Sequence, residues 1–491
     1  MAEASTLIEN LFESVIKFPN KLAIADYKDE LSYLELWHSI EATSQKLTAI
    51  GIKPKERIVF SIDNRVEFII LHFSIIKIGA VSIPLDIQTP KKSIQQIIDI
   101  SNPRSVFSDH KFKSYLEDSD KIDFFDISET IEVVKEIQDK QEIKNDSSCN
   151  SKNISSILYT SGSTGIPKGV ILTHGNTTTT IQNIVNFCSY TDKDFELVTL
   201  PLTHSFGLGQ VYSMLFVGGS CYVENGLIRM KRVLNALNKY NITGFPTTPK
   251  GVDLILENYS ELFKNFRDDL KTIIVNSAPL MPDQTRKLQN LLPTTKIYVY
   301  YGLTEASRSS FGCLTEMGEK LYRSVGKPMN SVKIFLSDDN EILISGPTVS
   351  KGYWPNNFFE ISSEGFPIIQ TGDIGKFDDE GNLFITGRIK DQINIGGFKV
   401  DPFEIEKVLK DHPVINNIVV SSRTVGNEEE IVYCLTESNK NIAEDEIIDF
   451  LRGKIEHYKF PKDVIFLKEF PEGVNGKIDR KKIKEIISKL N

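Results

Sequence analysis

What the chain lacks narrows its function before any motif is read. It has no surplus of basic residues: 57 Lys and Arg against 66 Asp and Glu leave a net charge of −9. A general nucleic-acid binder needs clustered excess cations to neutralise phosphates, so that class is excluded. The five cysteines are scattered, with no Cys-x-x-Cys pair and no histidine at zinc-ligand spacing. Free thiols in a reducing cytoplasm are expected. No basic segment followed by an apolar core opens the chain, so no signal peptide is expected. Long hydrophobic runs are missing too. The most apolar stretch, 66–85, is interrupted by Glu67, His72, Lys77 and Gly79. It reads as a buried helix followed by a strand, not as a membrane span. No internal repeat or low-complexity tract occurs.

What is present is α/β in texture. At 491 residues the chain is too long for one simple core, and two or three domains are expected. Helical and strand patterns alternate: a helix over 31–50, a strand over 57–62, a helix over 67–78 and a strand over 80–85. The polar stretch 135–153 ends in a surface linker. Near residue 388 a charged connector, Gly387-Arg-Ile-Lys-Asp391, precedes a compact segment ending in a basic helix. The pattern predicts a large N-terminal domain, 1–387, of mixed sheets flanked by helices. A small mobile α+β domain, 388–491, follows a hinge near 388–391.

The most informative stretch is Thr160-Ser-Gly-Ser-Thr-Gly-Ile-Pro-Lys168-Gly, fed by the apolar run 154–159. Glycines let backbone N–H groups approach an anion closely, hydroxyls add donors and a lysine adds charge, a combination suited to a polyphosphate. It is not a Walker loop, because Pro167 and Gly169 deny the helix start that such a loop requires. The bland alternative is a flexible surface loop. In residue order it resembles the phosphate loop of the adenylate-forming superfamily. That group comprises acyl- and aryl-CoA synthetases, adenylation domains of nonribosomal peptide synthetases, and firefly luciferase.

The resemblance extends along essentially the whole chain and implies a site residue by residue. Thr160, Ser161, Gly162, Ser163, Thr164, Gly165 and Lys168 would hold ATP phosphates. Ser277, Ala278 and Pro279, in the small-residue turn Asn276-Ser-Ala-Pro-Leu280, would line one edge of adenine. In Tyr301-Gly-Leu-Thr-Glu305, Tyr301 would stack on adenine, Thr304 would contact a phosphate and Glu305 would bind Mg²⁺. Asp373, within Thr371-Gly-Asp-Ile-Gly375, would accept the ribose hydroxyls, joined by Arg388. Lys390 falls at the hinge position. Gly396 and Gly397 resemble the turn that faces the thiol-transfer step. Lys477, in Asn475-Gly-Lys-Ile-Asp479, is the expected catalytic lysine, offsetting charge on the α-phosphate and the attacking carboxylate. Singly, Glu305 could be a solvated acid and Asp373 a turn cap.

The acid pocket implied comprises His204, Ser205, Phe206, Gly209, Tyr300, Gly302 and Arg308. Ser205 stands where amino-acid-specific adenylation domains place an Asp, and an α-ammonium buried without that carboxylate is costly. An α-amino acid is therefore disfavoured. His204 is either a gating residue or a core histidine. Tyr300 replaces a frequent glycine and should shorten the pocket. Arg308 either holds a polar or carboxylate group of the substrate or pairs with a nearby Asp or Glu.

The reaction implied is ATP-dependent, Mg²⁺-assisted conversion of a carboxylic acid to acyl-AMP, followed by transfer to the pantetheine thiol of CoA. One alternative acceptor is a separate carrier protein, since no Asp-Ser-Leu-type phosphopantetheine site occurs in the chain. A nucleotide-binding pseudoenzyme is the remote reading, and the joint presence of Lys168, Glu305, Asp373, Arg388 and Lys477 argues against it.

Overall fold

The computed structural model describes residues 5–108, 122–135, 143–160, 166–395, 398–415, 417–425, 428–436, 442–452, 454–472 and 478–490. The chain packs as two units. One comprises Met1–Ile334 with Ile344–Ile369, the other Phe335–Leu343 with Gln370–Asn491.

Two large sheets build the first unit among the described residues. Six adjacent parallel strands of the nine-stranded sheet are Lys296–Tyr301, Thr272–Val275, Gly244–Thr247, Phe195–Val198, Ser220–Val223 and Leu22–Ala25. Their residues are nearly all buried and apolar, as expected of strands covered on both faces. Register places Thr247 beside Val275 and Val275 beside Val299. Neighbouring parallel strands therefore end together, and the turns after Val275 and Tyr301 lie side by side. Ligands of open α/β sheets bind outside such carboxyl ends.

The eight-stranded sheet pairs Ile154–Thr160 antiparallel with Lys168–Thr173, and Gly352–Trp354 lies along the outer side of the latter strand. The helix expected over 67–78 forms as Val66–Lys77 with all its residues buried, and the strand after it is Val81–Pro84. A helix apolar all round belongs in a core. Its His72 lies between the Ser82 hydroxyl, 2.7 Å away, and the Tyr212 hydroxyl. Burial pushes its pKa down to about 3. Among the described residues no helix is long and apolar enough to cross a membrane.

In the second unit a three-stranded sheet, Ile418–Val425, Glu428–Thr436 and Asp463–Leu467, carries helices on both faces. Alternation along the strands sends Val420 and Tyr433 toward the helix Pro402–Leu409. Val419, Val432 and Cys434 pack with Ile483 and Ile487 of the helix Arg480–Lys489. The packing boundary differs from the 387/388 boundary read from sequence. Residues 370–387 pack with the second unit, and the boundary falls inside the strand Pro367–Phe377.

One ion pair ties the helix Pro402–Leu409 to the helix Arg480–Lys489. Arg480 Nη2 lies 2.6 Å from both oxygens of buried Glu406, which also accepts the Val420 N–H at 2.7 Å. Burial raises the Glu406 pKa despite the arginine. Glu406→Ala leaves a half-buried guanidinium unpaired and should cost about 3 kcal/mol. Urea unfolding with a probe in this unit measures it, and a loss below about 1 kcal/mol would mean that solvent screens the pair.

Candidate active site

The sequence-predicted phosphate loop connects a β-hairpin. Thr160 and Lys168 stand opposite one another in the register of the two strands. Gly169 follows because a Cβ there would lie 2.8 Å from Ile157 and 3.0 Å from Tyr159. Ser161, Gly162, Ser163, Thr164 and Gly165 lie outside the described residues, as do Gly396, Gly397 and Lys477.

The Glu305 turn links the antiparallel strands Lys296–Tyr301 and Ser310–Cys313. Ser309 N–H donates to Tyr301 O at 2.8 Å, and Leu303 and Ala306 exchange backbone hydrogen bonds inside the turn. Gly302 is required there, since a Cβ would sit 2.4 Å from the Arg308 nitrogen. Thr304 and Glu305 are left half-buried at the tip. On the parallel neighbour, Asn276 and Ser277 follow Val275 directly. Ser277 has φ +81°, a strained left-handed backbone for a non-glycine residue and one that clusters at ligand sites. Ala278 and Pro279 are exposed.

A residue outside the sequence-read set joins the phosphate lysine to the glutamate. The Tyr353 hydroxyl donates to Glu305 Oε1 at 2.7 Å, and Lys168 Nζ lies 4.8 Å from the centre of the Tyr353 ring. Burial, then the Glu305 charge, raises the Tyr353 pKa, so the phenol stays protonated and donating. Strand pairing positions it: Tyr353 faces Val170 and Trp354 faces Gly169. The same segment grips the Glu305 turn, with Ser350 N–H donating to Glu305 O at 2.7 Å and Ala306 bridging to Val349. The pairing that gives Tyr353 its position spans some 180 residues and leaves no local signal.

Around the expected acid pocket, Arg308 is 1% exposed with φ +55°. Its Nη1 donates to Ser205 O and Ser307 Oγ, each at 2.9 Å. Its Nη2 donates to Phe206 O at 2.9 Å and Gln210 Oε1 at 3.2 Å. The guanidinium carbon lies 5.0 Å from the Tyr300 ring centre and 5.7 Å from that of Phe206. Tyr300 is itself edge-on to Phe206 and stacked on Phe311. Among the described residues no Asp or Glu pairs directly with Arg308, the alternative considered from sequence. Glu196 is reached at one remove, through Gln210 Nε2 at 3.0 and 3.1 Å from its two oxygens, and Tyr190 also donates to it. His204 is half-buried and precedes the helix Ser205–Val217 as its N-cap, without a side-chain capping bond.

In the second unit, Asp373 and Arg388 face each other across their hairpin. Arg388 Nε lies 2.7 Å from Asp373 Oδ1, with Asp373 buried and Arg388 exposed. The turn before Asp373 is fixed by Gly372 N–H donating to Glu341 Oε1 at 2.9 Å and Thr371 Oγ1 donating to Ile342 O at 2.7 Å. Lys390 falls in the short helical turn Ile389–Asp391 after Arg388.

Strand-end turns beside a hairpin loop, with a lysine and a carboxylate gathered at one tyrosine, suit a nucleotide polyphosphate. Comparison with known proteins agrees. The family model described as AMP-binding enzyme matches residues 11–354, and that of the AMP-binding enzyme C-terminal domain matches 404–477. The chain belongs to the AMP-binding enzyme family and is an adenylate-forming ligase. An oxalate–CoA ligase of Arabidopsis thaliana is 28% identical over 97% of this chain and 98% of that protein. The peroxisomal OPC-8:0-CoA ligase 1 of the same plant is 26% identical over 93% and 88%. In fold, the chain resembles ATP-bound MatB from Rhodopseudomonas palustris, with a TM-score of 0.87 at 23% identity over 99% of both chains.

Two outcomes follow from this geometry. Tyr353→Phe removes the donor to Glu305 and should raise KM for MgATP about three- to tenfold. The shift should shrink as free Mg²⁺ is raised, and an unchanged KM at low Mg²⁺ would dismiss the contact. The second concerns Glu196, whose carboxyl is pushed up to about 7 by burial, against the opposing pull of Tyr190, Gln210 and Arg308. A raised folded pKa means stability is fully present below about pH 4.5 and lost as pH rises through about 7. Glu196→Gln should flatten that part of the curve of unfolding midpoint against pH. A slope identical to that of the unsubstituted protein would place the titration elsewhere.

Proposed function

We propose that the enzyme joins a carboxylic acid to the α-phosphate of MgATP, releasing pyrophosphate, and then passes the acyl group to the thiol of CoA. The observation that carries this reading is the gathering of Lys168 and Glu305 by Tyr353 beside the turns that follow Val275 and Tyr301. In this reading Lys168 and the 160–165 loop hold the β- and γ-phosphates, with Thr304 as a further contact. Glu305 is a suitable Mg²⁺ ligand: a half-buried carboxylate with Oε1 oriented by a phenol. Mg²⁺ bound with a nucleotide needs only one or two protein carboxylates beside phosphates and waters.

Tyr301 and the 276–279 turn take adenine, and Asp373 with Arg388 takes the ribose. Arg388 can exchange its bond to Asp373 for a phosphate while the carboxylate accepts the ribose hydroxyls. Chemistry at the α-phosphate then rests on alignment and charge stabilisation rather than on a covalent enzyme intermediate. Lys477 supplies the positive charge at that step, and Gly396 with Gly397 serves the thiol step, Lys390 being the hinge between the two arrangements. CoA is favoured over a carrier protein because both relatives above are named as CoA ligases.

Pyrophosphate release over a panel of carboxylic acids tests the first half, and addition of CoA or of carrier proteins tests the second. Release with no acid would leave only nucleotide binding. Lys477→Ala should slow adenylation at least about 100-fold while leaving thioester formation from supplied acyl-AMP. Equal loss of both halves would remove Lys477 from the assigned role.

A further inference from the structure

A cavity lies between the helices His174–Cys188 and Ser205–Val217, reaching Thr304 of the Glu305 turn at one side and Arg308 at another. Its lining mixes aliphatic side chains with hydroxyls and amides, among them Asn176, Thr180, Ser307 and Thr348. Arg308 is the one charged residue among those that line it. Four of the five guanidinium protons are held by protein acceptors, as described above. The fifth, on Nε, is buried and has no acceptor among the described residues, and the same is true of Thr348 Oγ1. Both residues are nine-tenths or more buried. Two unsatisfied polar atoms, one of them on a cation, are costly in a packed interior unless a ligand completes them.

The guanidinium cannot turn to find another partner. Its Nη1 and Nη2 are fixed on the first turn of the helix Ser205–Val217, and Tyr300 and Phe206 pack against it. Gly209 leaves the space it occupies: a Cβ there would lie 2.7 Å from Nη1 and 2.8 Å from Nη2. Thr304 and Arg308 belong to one turn closed by the Ser309–Tyr301 bond, and both line the cavity.

We propose that the acid activated here is a short dicarboxylate, one carboxylate going to the adenylation step and the other being received in this cavity, which Arg308 and Thr348 line. The inference rests on the ligase reading given above and narrows its substrate class. Binding of the distal group is non-covalent, and the cation prefers a carboxylate to a neutral methyl end because a charge-assisted hydrogen bond replaces an orphaned donor.

The test measures pyrophosphate release by the full-length enzyme with oxalate, malonate, succinate and glutarate against acetate, propionate, butyrate and valerate. At least one diacid should exceed the monoacid of equal length by about tenfold or more in kcat/KM. Arg308→Met should lower that diacid-to-monoacid ratio about tenfold, and Thr348→Val about threefold. Thr348→Val removes only a hydroxyl and keeps the side chain's shape, so it decides the matter if Arg308→Met fails to fold. Release with monoacids but not diacids, or a ratio unmoved by Thr348→Val, overturns the inference while leaving the ligase reading intact. Release with no acid of any kind overturns both.

Discussion

In the proposed reaction Lys168 would hold a polyphosphate and Glu305 its metal ion, so the two must be close together without neutralising each other. At 4 Å and an effective dielectric of about 20, such a pair attracts by about 4 kcal/mol, which a substrate would have to displace. Tyr353 meets that constraint: its hydroxyl engages Glu305 and its ring face receives Lys168. A phenol satisfies both groups more weakly than a direct ion pair would, as the proposed phosphate and Mg²⁺ binding requires. The surrounding architecture serves this arrangement. The hairpin brings Thr160 opposite Lys168, the strand Gly352–Trp354 fixes Tyr353 beside that hairpin, and the 349–350 backbone holds the Glu305 turn.

Parallel strands supply the other half of the arrangement. Because Thr272–Val275 and Lys296–Tyr301 run together in register, two short turns of different chemistry emerge at one edge without any long loop. One contains Ser277 in a left-handed conformation and the other has Gly302 pressed against the Arg308 backbone. Strain of this kind persists only where surrounding structure over-determines it. Here the adjoining strands do so.

Much of this was legible in the residues. The helix and strand over 66–85 were readable from their apolar pattern and the turns after Val275 and Tyr301 from small residues and glycine, whereas Asp373 and Arg388 came only from the resemblance to the family. Tyr353 was not readable, since its role arises from pairing with a strand far away in sequence. The packing division near 370 leaves no mark in composition, which changes at 388. Arg308 was readable from sequence as a residue in need of a polar partner. Its acceptors could not be read, because three of the four are main-chain carbonyls or small polar groups and the fourth is an amide leading on to Glu196.

The contact between Gly209 and Arg308 also constrains how the pocket can change. Any side chain at 209 collides with the guanidinium, and any shorter residue at 308 opens a void against the helix. Neither position can be altered alone without passing through a crowded or hollow intermediate. The two positions are therefore coupled, and the effects on stability of substitutions at 209 and 308 should be non-additive.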